Sequence, residues 1–571
     1  MDRFCIKIAG ESGSGLLSTG EIITRSLQGM GFYVVAEREY PSLIKGGHAC
    51  FVINFSKKPI YGISNHIDVM LAIDKSSLKA YFGELKEGGT LVYGYERPLG
   101  VKDIIEKATE MKMNVVYLKV REVAEEMGGN VLMKNIVLAG MLWKTLGFDF
   151  EHIKVEVERK FASKPKLLAI DLKCLEAGYL RVESGFEIEV PASVPTTRLL
   201  EGNEAIALGA VHCGCKAYYA YPMSPASSIL THMADMAEEK GLLVKQIEDE
   251  ISVANMALGS MYMGARAFCA TSGGGLDLMS ETVSLAGITE QPLLIVVAQR
   301  PGPATGLPTW TCQSDLSLAV HAGHGEFGRM VIAGSDPTTC FDLIQHAFNY
   351  AEEYQIPVIF LTEKGIAETI VTVPAFELRK IPIKRGLVSG DDLVNEDRYR
   401  ITESGVSKRW LPGTSKAFYF AQGDEHLEDG FVTEDAEPAQ AMYDKRLRKL
   451  DTIKAALPDP EIFGEDGADI SFVGWGSSLN IMRDVIAYYS EKGVRVNYLH
   501  YAYLWPLKTE RLEQFFKENK NVNLIEGNAF GQLGNLIEEK TDLRFKDRLL
   551  KYNGRSFFLE DLIEFVEKSN K

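Results

Sequence analysis

At 571 residues the chain is too long for a single core, and its length predicts roughly three to four domains. Its composition, 46% hydrophobic and 25% charged, is that of a globular protein, and a net charge of -16 at pH 7 argues against nucleic acid as a main partner. No run approaches the ~20 apolar residues of a membrane span, and Met1-Asp2-Arg3 leads straight into a strand without a signal-peptide core, so a cytoplasmic chain with no membrane contact is expected.

The eight cysteines contain no Cys-x-x-Cys spacing, so no iron–sulfur or zinc cassette is expected on this chain, and Cys213 and Cys215 read as a reduced structural pair. From the start, residues 4–9 read as a buried strand and Gly10-Glu11-Ser12-Gly13-Ser14-Gly15 as a tight turn into a helix ending near Gly31, with a second strand over 33–37. The arrangement imitates a dinucleotide fingerprint, Glu37 standing where the ribose acid belongs, but Ser18 occupies the place of the third glycine. A nicotinamide-dependent oxidoreductase is therefore kept as a rival class, with the backbone N–H groups of the helix start as an anion site. Tyr40-Pro41-Ser42-Leu43-Ile44-Lys45-Gly46-Gly47-His48 follows. Lys45 beside two glycines suits a phosphate-bearing or anionic ligand and equally a solvated turn, and His48 reads as a partly buried polar side chain. Strands over 68–74 and 89–93 with helices between them make 1–186 an α/β domain; 187–198 loses periodicity, carries Pro191 and Pro195, and reads as a linker.

Residues 199–375 hold the stretch that bears most chemistry. Tyr221-Pro222-Met223-Ser224-Pro225 fixes φ at two prolines and offers hydroxyls at Ser224, Ser227 and Ser228 for a helix cap or a ligand carboxylate. Glu250 precedes an Ala/Gly-rich helix, with Glu248 and Asp249 as first-turn partners of its dipole. Thr271-Ser272-Gly273-Gly274-Gly275 turns into the next helix, which carries Glu281. Arg300 follows the apolar run 293–297, placing a planar carboxylate-binding fork at the carboxyl end of a buried strand, where open α/β sheets bind ligands. Arg300-Pro301-Gly302-Pro303-Ala304-Thr305-Gly306-Leu307-Pro308-Thr309 closes the stretch. His324, in Gly323-His324-Gly325-Glu326-Phe327, reads as a hydrogen-bonded structural histidine rather than a proton carrier. Residues 376–465 form a polar connector ending in a charged helix, and His426 among its acids reads as solvated, so no metal is assigned. Residues 466–571 return to an alternating β/α pattern, with a weak Gly-x-Gly turn at Gly474-Trp475-Gly476.

Tyr221-Pro222-Met223-Ser224-Pro225 and the Gly302 to Thr309 turn, followed by Gln313 and Asp315, resemble the α chain of the 2-oxoacid:ferredoxin oxidoreductases, thiamine-diphosphate enzymes that make acyl-CoA, CO2 and reduced ferredoxin. Ser224 stands for the family's threonine, and Ser272-Gly273-Gly274-Gly275 for its Ser-Gly-Pro-Gly. Residues 1–185 resemble the γ chain, with Lys45 in place of an arginine, and 466–571 resembles the transketolase C-terminal-like domain. The resemblance implies a multidomain α/β chain: a γ-type α/β domain, a pyrimidine-binding domain of thiamine enzymes and a transketolase C-terminal-like α/β domain. It gives Glu250 the bond to the pyrimidine N1′ that activates the cofactor. Ser224, Arg300 and Thr309, with Tyr221 and Pro222, hold the 2-oxoacid; Ser272, Gly273 and Glu281 lie beside the cofactor; Ser42 and Lys45 contact coenzyme A or another anion.

A diphosphate and Mg2+ motif of the Gly-Asp-Gly type is missing, since Gly390-Asp391-Asp392 and Gly423-Asp424-Glu425 both lack the second glycine. The resemblance thus implies a β chain that brings the diphosphate and Mg2+ site and a [4Fe-4S] cluster, in an (αβ)2 assembly that reduces ferredoxin. 2-Oxoglutarate is the expected substrate, with pyruvate and branched-chain 2-oxoacids open; a non-catalytic assembly subunit is the third class.

Overall fold

The computed structural model describes residues 3–40, 47–94, 102–374, 381–390, 393 and 396–569. Ser42, Lys45, Asp391 and Asp392 lie outside the described residues. The chain forms two compact units, one of Met1–Leu200 with Thr369–Ala375 and Phe558–Lys571, the other of Glu201–Glu368 with Phe376–Phe557.

The first unit is built on a mixed eight-stranded sheet in the order Asn114–Tyr117, Leu85–Tyr93, Ile67–Ala72, Arg3–Glu11, His48–Ser56, Tyr33–Glu39, Ile370–Pro374, Thr197–Leu200. Both faces are covered: Ile6 and Ile8 of the first strand join one apolar cluster with Leu27, Trp143 and Leu175 of three helices, while Cys5 and Ala9 face a second cluster with Leu78 and Phe82. Alternate residues thus serve opposite cores, which is why the strand reads as a continuous apolar run. Arg3–Glu11 and Tyr33–Glu39 are separated by the antiparallel strand His48–Ser56. A dinucleotide βαβ unit places its two strands side by side and parallel, so the Gly10 to Gly15 turn lacks the topology that its spacing imitates. The expected linker 187–198 is without regular structure to 196 and then enters the strand Thr197–Leu200.

In the second unit a seven-stranded sheet runs Tyr503–Trp505, Met330–Ala333, Pro357–Glu363, Leu293–Gln299, Ala267–Thr271, Ala217–Ala220, Leu243–Gln246, parallel except for the first strand. The chain leaves Ala217–Ala220 for the edge strand Leu243–Gln246 and then crosses back to Ala267–Thr271 on the other side. That reversal makes a topological switch point between Ala217–Ala220 and Ala267–Thr271. A five-stranded sheet, in the order Glu461–Gly464, Val496–Tyr501, Ile470–Trp475, Val522–Glu526, Arg548–Leu550, belongs to the same unit and is parallel apart from its first strand.

Buried charges fasten the connector. Glu352, on the helix Pro337–Tyr354, accepts from Arg266 Nε at 2.6 Å and Arg385 Nε at 2.8 Å and meets Arg409 Nη2 at 3.4 Å. Glu290 lies 2.5 Å from both Lys445 and Lys449 of the helix Ala436–Ala456. His426 is fully buried against Tyr399, its ring nitrogens 2.9 Å from Leu427 O and 3.2 Å from Ile288 O. The solvated histidine expected there is instead an anchor of the connector. Among the described residues no helix is long and apolar enough to cross a membrane. Removing Glu352 leaves buried guanidinium groups without their counter-charge; Glu352→Ala is expected to lower the opening free energy of Pro337–Tyr354 by about 3–5 kcal/mol, measured by hydrogen exchange of that helix.

Candidate active site

The carboxyl ends of the central parallel strands bring the sequence-identified residues together. Arg300, the residue after Leu293–Gln299, donates Nη1 to Ser224 O at 2.8 Å. The neighbouring Met223 Sδ stands 2.7 Å from Ser272 Oγ. Ser272 itself is fully buried at the start of the helix Gly273–Ile288. Asn203 holds the base of the Ser224 loop by donating to Pro225 O at 2.8 Å and Ser228 Oγ at 2.7 Å. The two loops on either side of the switch point are therefore in contact, as a ligand site at this place requires.

Glu250 opens the helix Glu250–Tyr262, and Asp249 caps it by accepting from Ile251 N at 3.0 Å and Ser252 N at 3.2 Å. With Asp249 serving the helix start, the Glu250 carboxyl is free for other work. Glu250 is only 4% exposed, and none of the hydrogen bonds or ion pairs among the described residues involves its carboxylate. It lies against Gly275, where an added Cβ would stand 3.1 Å from Glu250 Cγ and 1.8 Å from Thr271 Oγ1. Glycine at 275 thus makes room for the Thr271 side chain beside the Glu250 stem.

Asp315 completes the floor. Its N–H donates to Gln299 Oε1 at 3.0 Å, and its carboxyl covers Gly273, where an added Cβ would meet Oδ2 at 2.6 Å. Burial pushes this carboxyl up to about 6; Asp277 adds to the rise, while a Ser314 hydrogen bond and Arg300 oppose it. Burial draws the Arg300 guanidinium down, and Asp315 opposes that shift.

The remaining sequence-identified residues stand further out. Thr309 is buried and partnered on the same loop as Arg300, which Leu307 N closes by donating to Pro301 O at 2.9 Å. Tyr221 is half-buried and Pro222 exposed. Glu281 is exposed about 12 Å along its helix from Gly273, on one face with Gly274 and Leu278. His324 is exposed, and its backbone rather than its ring bonds Ser284 Oγ.

Glu363 went unremarked in the sequence, although it ends the apolar strand Pro357–Glu363 just as Arg300 follows its own. It accepts from Thr311 Oγ1 at 2.7 Å and Gln313 Nε2 at 3.0 Å. Among the described residues no group of three or more His, Cys, Asp and Glu is placed to hold a metal ion.

Three family models match the chain: "Pyruvate flavodoxin/ferredoxin oxidoreductase, thiamine diP-bdg" over 208–445, "Pyruvate ferredoxin/flavodoxin oxidoreductase" over 5–181 and "Pyruvate:ferredoxin oxidoreductase core domain II" over 468–559. A 2-oxoacid:ferredoxin oxidoreductase subunit alpha of Sulfolobus sp is 30% identical, the match covering 98% of this chain and 96% of that one. The 2-oxoglutarate oxidoreductase subunit KorA of Mycobacterium tuberculosis is 28% identical over 99% of this chain and 91% of its own. Among solved structures, the 2-oxoglutarate:ferredoxin oxidoreductase from Magnetococcus marinus, with 2-oxoglutarate, coenzyme A and succinyl-CoA bound, has a TM-score of 0.92 and 29% identity over 100% of both chains.

Gly275→Ala drives a methyl group into Thr271 and Glu250. It is expected to destabilise the second unit by about 1–3 kcal/mol, and adding Thr271→Ala is expected to restore much of that loss, as a double-mutant cycle of unfolding midpoints will show.

Proposed function

The chain belongs to the 2-oxoacid:ferredoxin oxidoreductase family as an alpha-type subunit, and from that premise we infer that it forms the substrate and pyrimidine half of an enzyme acting on 2-oxoglutarate. The reaction converts a 2-oxoacid, CoA and two oxidised ferredoxins into acyl-CoA, CO2, two reduced ferredoxins and a proton. Its choice of 2-oxoglutarate is supported by the KorA relative and by the ligands of the Magnetococcus marinus enzyme.

Glu250, a buried residue whose carboxyl has no partner among the described residues, is the observation that carries the reading. Thiamine diphosphate, when bound, supplies a carbon nucleophile and electron sink for decarboxylation. The chain fits that group through a carboxyl without a partner among the described residues: Glu250 would hold the pyrimidine N1′ and keep the adjacent amino group in its basic form. Ser272 and Gly273 would border the same ring. Arg300 would orient the 2-oxoacid carboxylate with its fork, and the Ser224 and Thr309 hydroxyls would bond the substrate's carboxylate and carbonyl oxygens.

Diphosphate and Mg2+ ligands, and the [4Fe-4S] cluster, are assigned to a β chain. Ile251, Met256 and Leu278 are exposed on the two helices that flank Glu250, giving an apolar face of the kind a partner covers. Glu281 lies on that face and is assigned to the same contact. Ser42 and Lys45 are assigned to contacts with coenzyme A or another anion. All eight cysteines are free and buried, in keeping with work in the reducing cytoplasm as an (αβ)2 assembly.

The test is reduction of ferredoxin or methyl viologen with 2-oxoglutarate, CoA and thiamine diphosphate, comparing the chain alone, its complex with the β chain, and that complex carrying Glu250→Gln. Activity is expected only in the complex, with kcat about 10²–10⁴-fold lower in the variant. Full activity of the isolated chain, or indifference to Glu250→Gln, would sink the split site; a preference for pyruvate would change the substrate alone.

A further inference from the structure

We propose that Asp315 is a direct 2-oxoacid contact, forming with Arg300 a two-donor clamp on the substrate carboxylate in which Asp315 acts as the carboxylic acid. The proposal rests on the 2-oxoacid reading above. Its basis is a pair of orphan atoms: Arg300 Nε and Asp315 Oδ2 are both buried, and neither has a hydrogen-bond partner among the described residues. Buried polar atoms are normally satisfied, so two such atoms at one strand end mark a place where a ligand or water completes the bonding.

These atoms do not satisfy each other. Arg300 spends Nη1 on Ser224 O at 2.8 Å, and no ion pair within 4.0 Å joins it to Asp315. Asp315 is nonetheless held at the same strand end, because its N–H donates to Gln299 Oε1 while Gln299 Nε2 donates to Thr362 O at 3.2 Å. The lack of a side chain at Gly273 lets the Asp315 carboxyl pack over it.

The charged and titratable groups around Asp315 come from three elements. Asp277 stands on the helix Gly273–Ile288, Arg300 at the strand end, and Cys312 on the same loop, with Glu363 acting on Cys312 from beyond it. Asp277 and burial favour the acid form, and Arg300 opposes them. An arriving carboxylate adds a negative charge and favours the acid form further. Below about 6 Asp315 donates; above it the ionised group loses its proton and repels the substrate. Binding of a 2-oxoacid near neutrality therefore takes up protons, and KM rises as pH rises.

The experiment uses the α–β complex. Without thiamine diphosphate, 2-oxoglutarate binding is followed calorimetrically in two buffers of different ionisation enthalpy. With the cofactor, KM and kcat are followed from about pH 6 to pH 8.5. Wild type is expected to take up a fraction of a proton, and its KM to rise by several-fold, at most about tenfold per pH unit. Asp315→Asn, which donates at every pH, is expected to take up none and to show a level KM, whereas Asp315→Leu raises KM throughout.

Unaltered proton uptake and an unaltered KM profile in Asp315→Asn would overturn the assignment while leaving the enzyme reading intact. A wild-type complex inactive with every 2-oxoacid would overturn both. Should Asp315→Asn fail to fold, Asp315→Glu reads the same contact; a KM that still rises with pH supports the clamp, and a pH-independent one counts against it.

Discussion

Gln313 ties the carboxyl ends of two sheets in the second unit to one point. Its Nε2 donates to Glu363 Oε1 at 3.0 Å and Trp475 O at 2.9 Å, its Oε1 accepts from Gly527 N at 2.7 Å, and its backbone bonds Gly527 O and Asn528 Nδ2. A buried network satisfied this completely is rigid, because each bond lost leaves a polar group stranded in a low dielectric. The loop from Arg300 to Asp315 is held at its start by the parallel strand and at its end by this glutamine. Both ends of the substrate clamp are thereby fixed before a ligand arrives.

The same residue explains a turn that imitates something else. Gly476, at φ +59°, stands where a Cβ would come 2.5 Å from Gln313 Nε2. Glycine is required there by the close approach of a neighbouring side chain as well as by the left-handed backbone. The Gly474-Trp475-Gly476 turn therefore receives Gln313, where a nucleotide fingerprint would receive a phosphate.

Residues whose role follows from local sequence were legible in advance. Arg300 is legible because an apolar strand ends immediately before it, and Asp249 reads as a partner of the helix dipole, which the structure refines to a cap on Ile251 N and Ser252 N. The order of strands was less accessible. Ile370–Pro374 lies between Tyr33–Glu39 and Thr197–Leu200, a pairing across more than three hundred residues that no local period encodes. Likewise, His426 looked solvated among acids because the carbonyl of Ile288 that receives its ring, 138 positions away, is invisible in the local stretch. Asp315 was read as part of a motif, but its place over Gly273 depends on two loops meeting at a switch point.

Buried glutamates separate structure from function more sharply than sequence did. Glu290 is compensated by two lysines, Glu352 by arginines, and Glu363 and Glu526 by dense hydrogen bonding. Each belongs to the fold, since burying a carboxyl costs several kcal/mol, roughly, unless it is paired or hydrogen-bonded. Glu250 is 4% exposed as a residue, and its carboxyl has no such partner among the described residues. It stands against Gly275 of the helix Gly273–Ile288, whose Gly273 the Asp315 carboxyl covers. Arg300 Nε and Asp315 Oδ2, two buried atoms without partners among the described residues, have a common physical explanation at the switch point: their bonding is completed by what binds there.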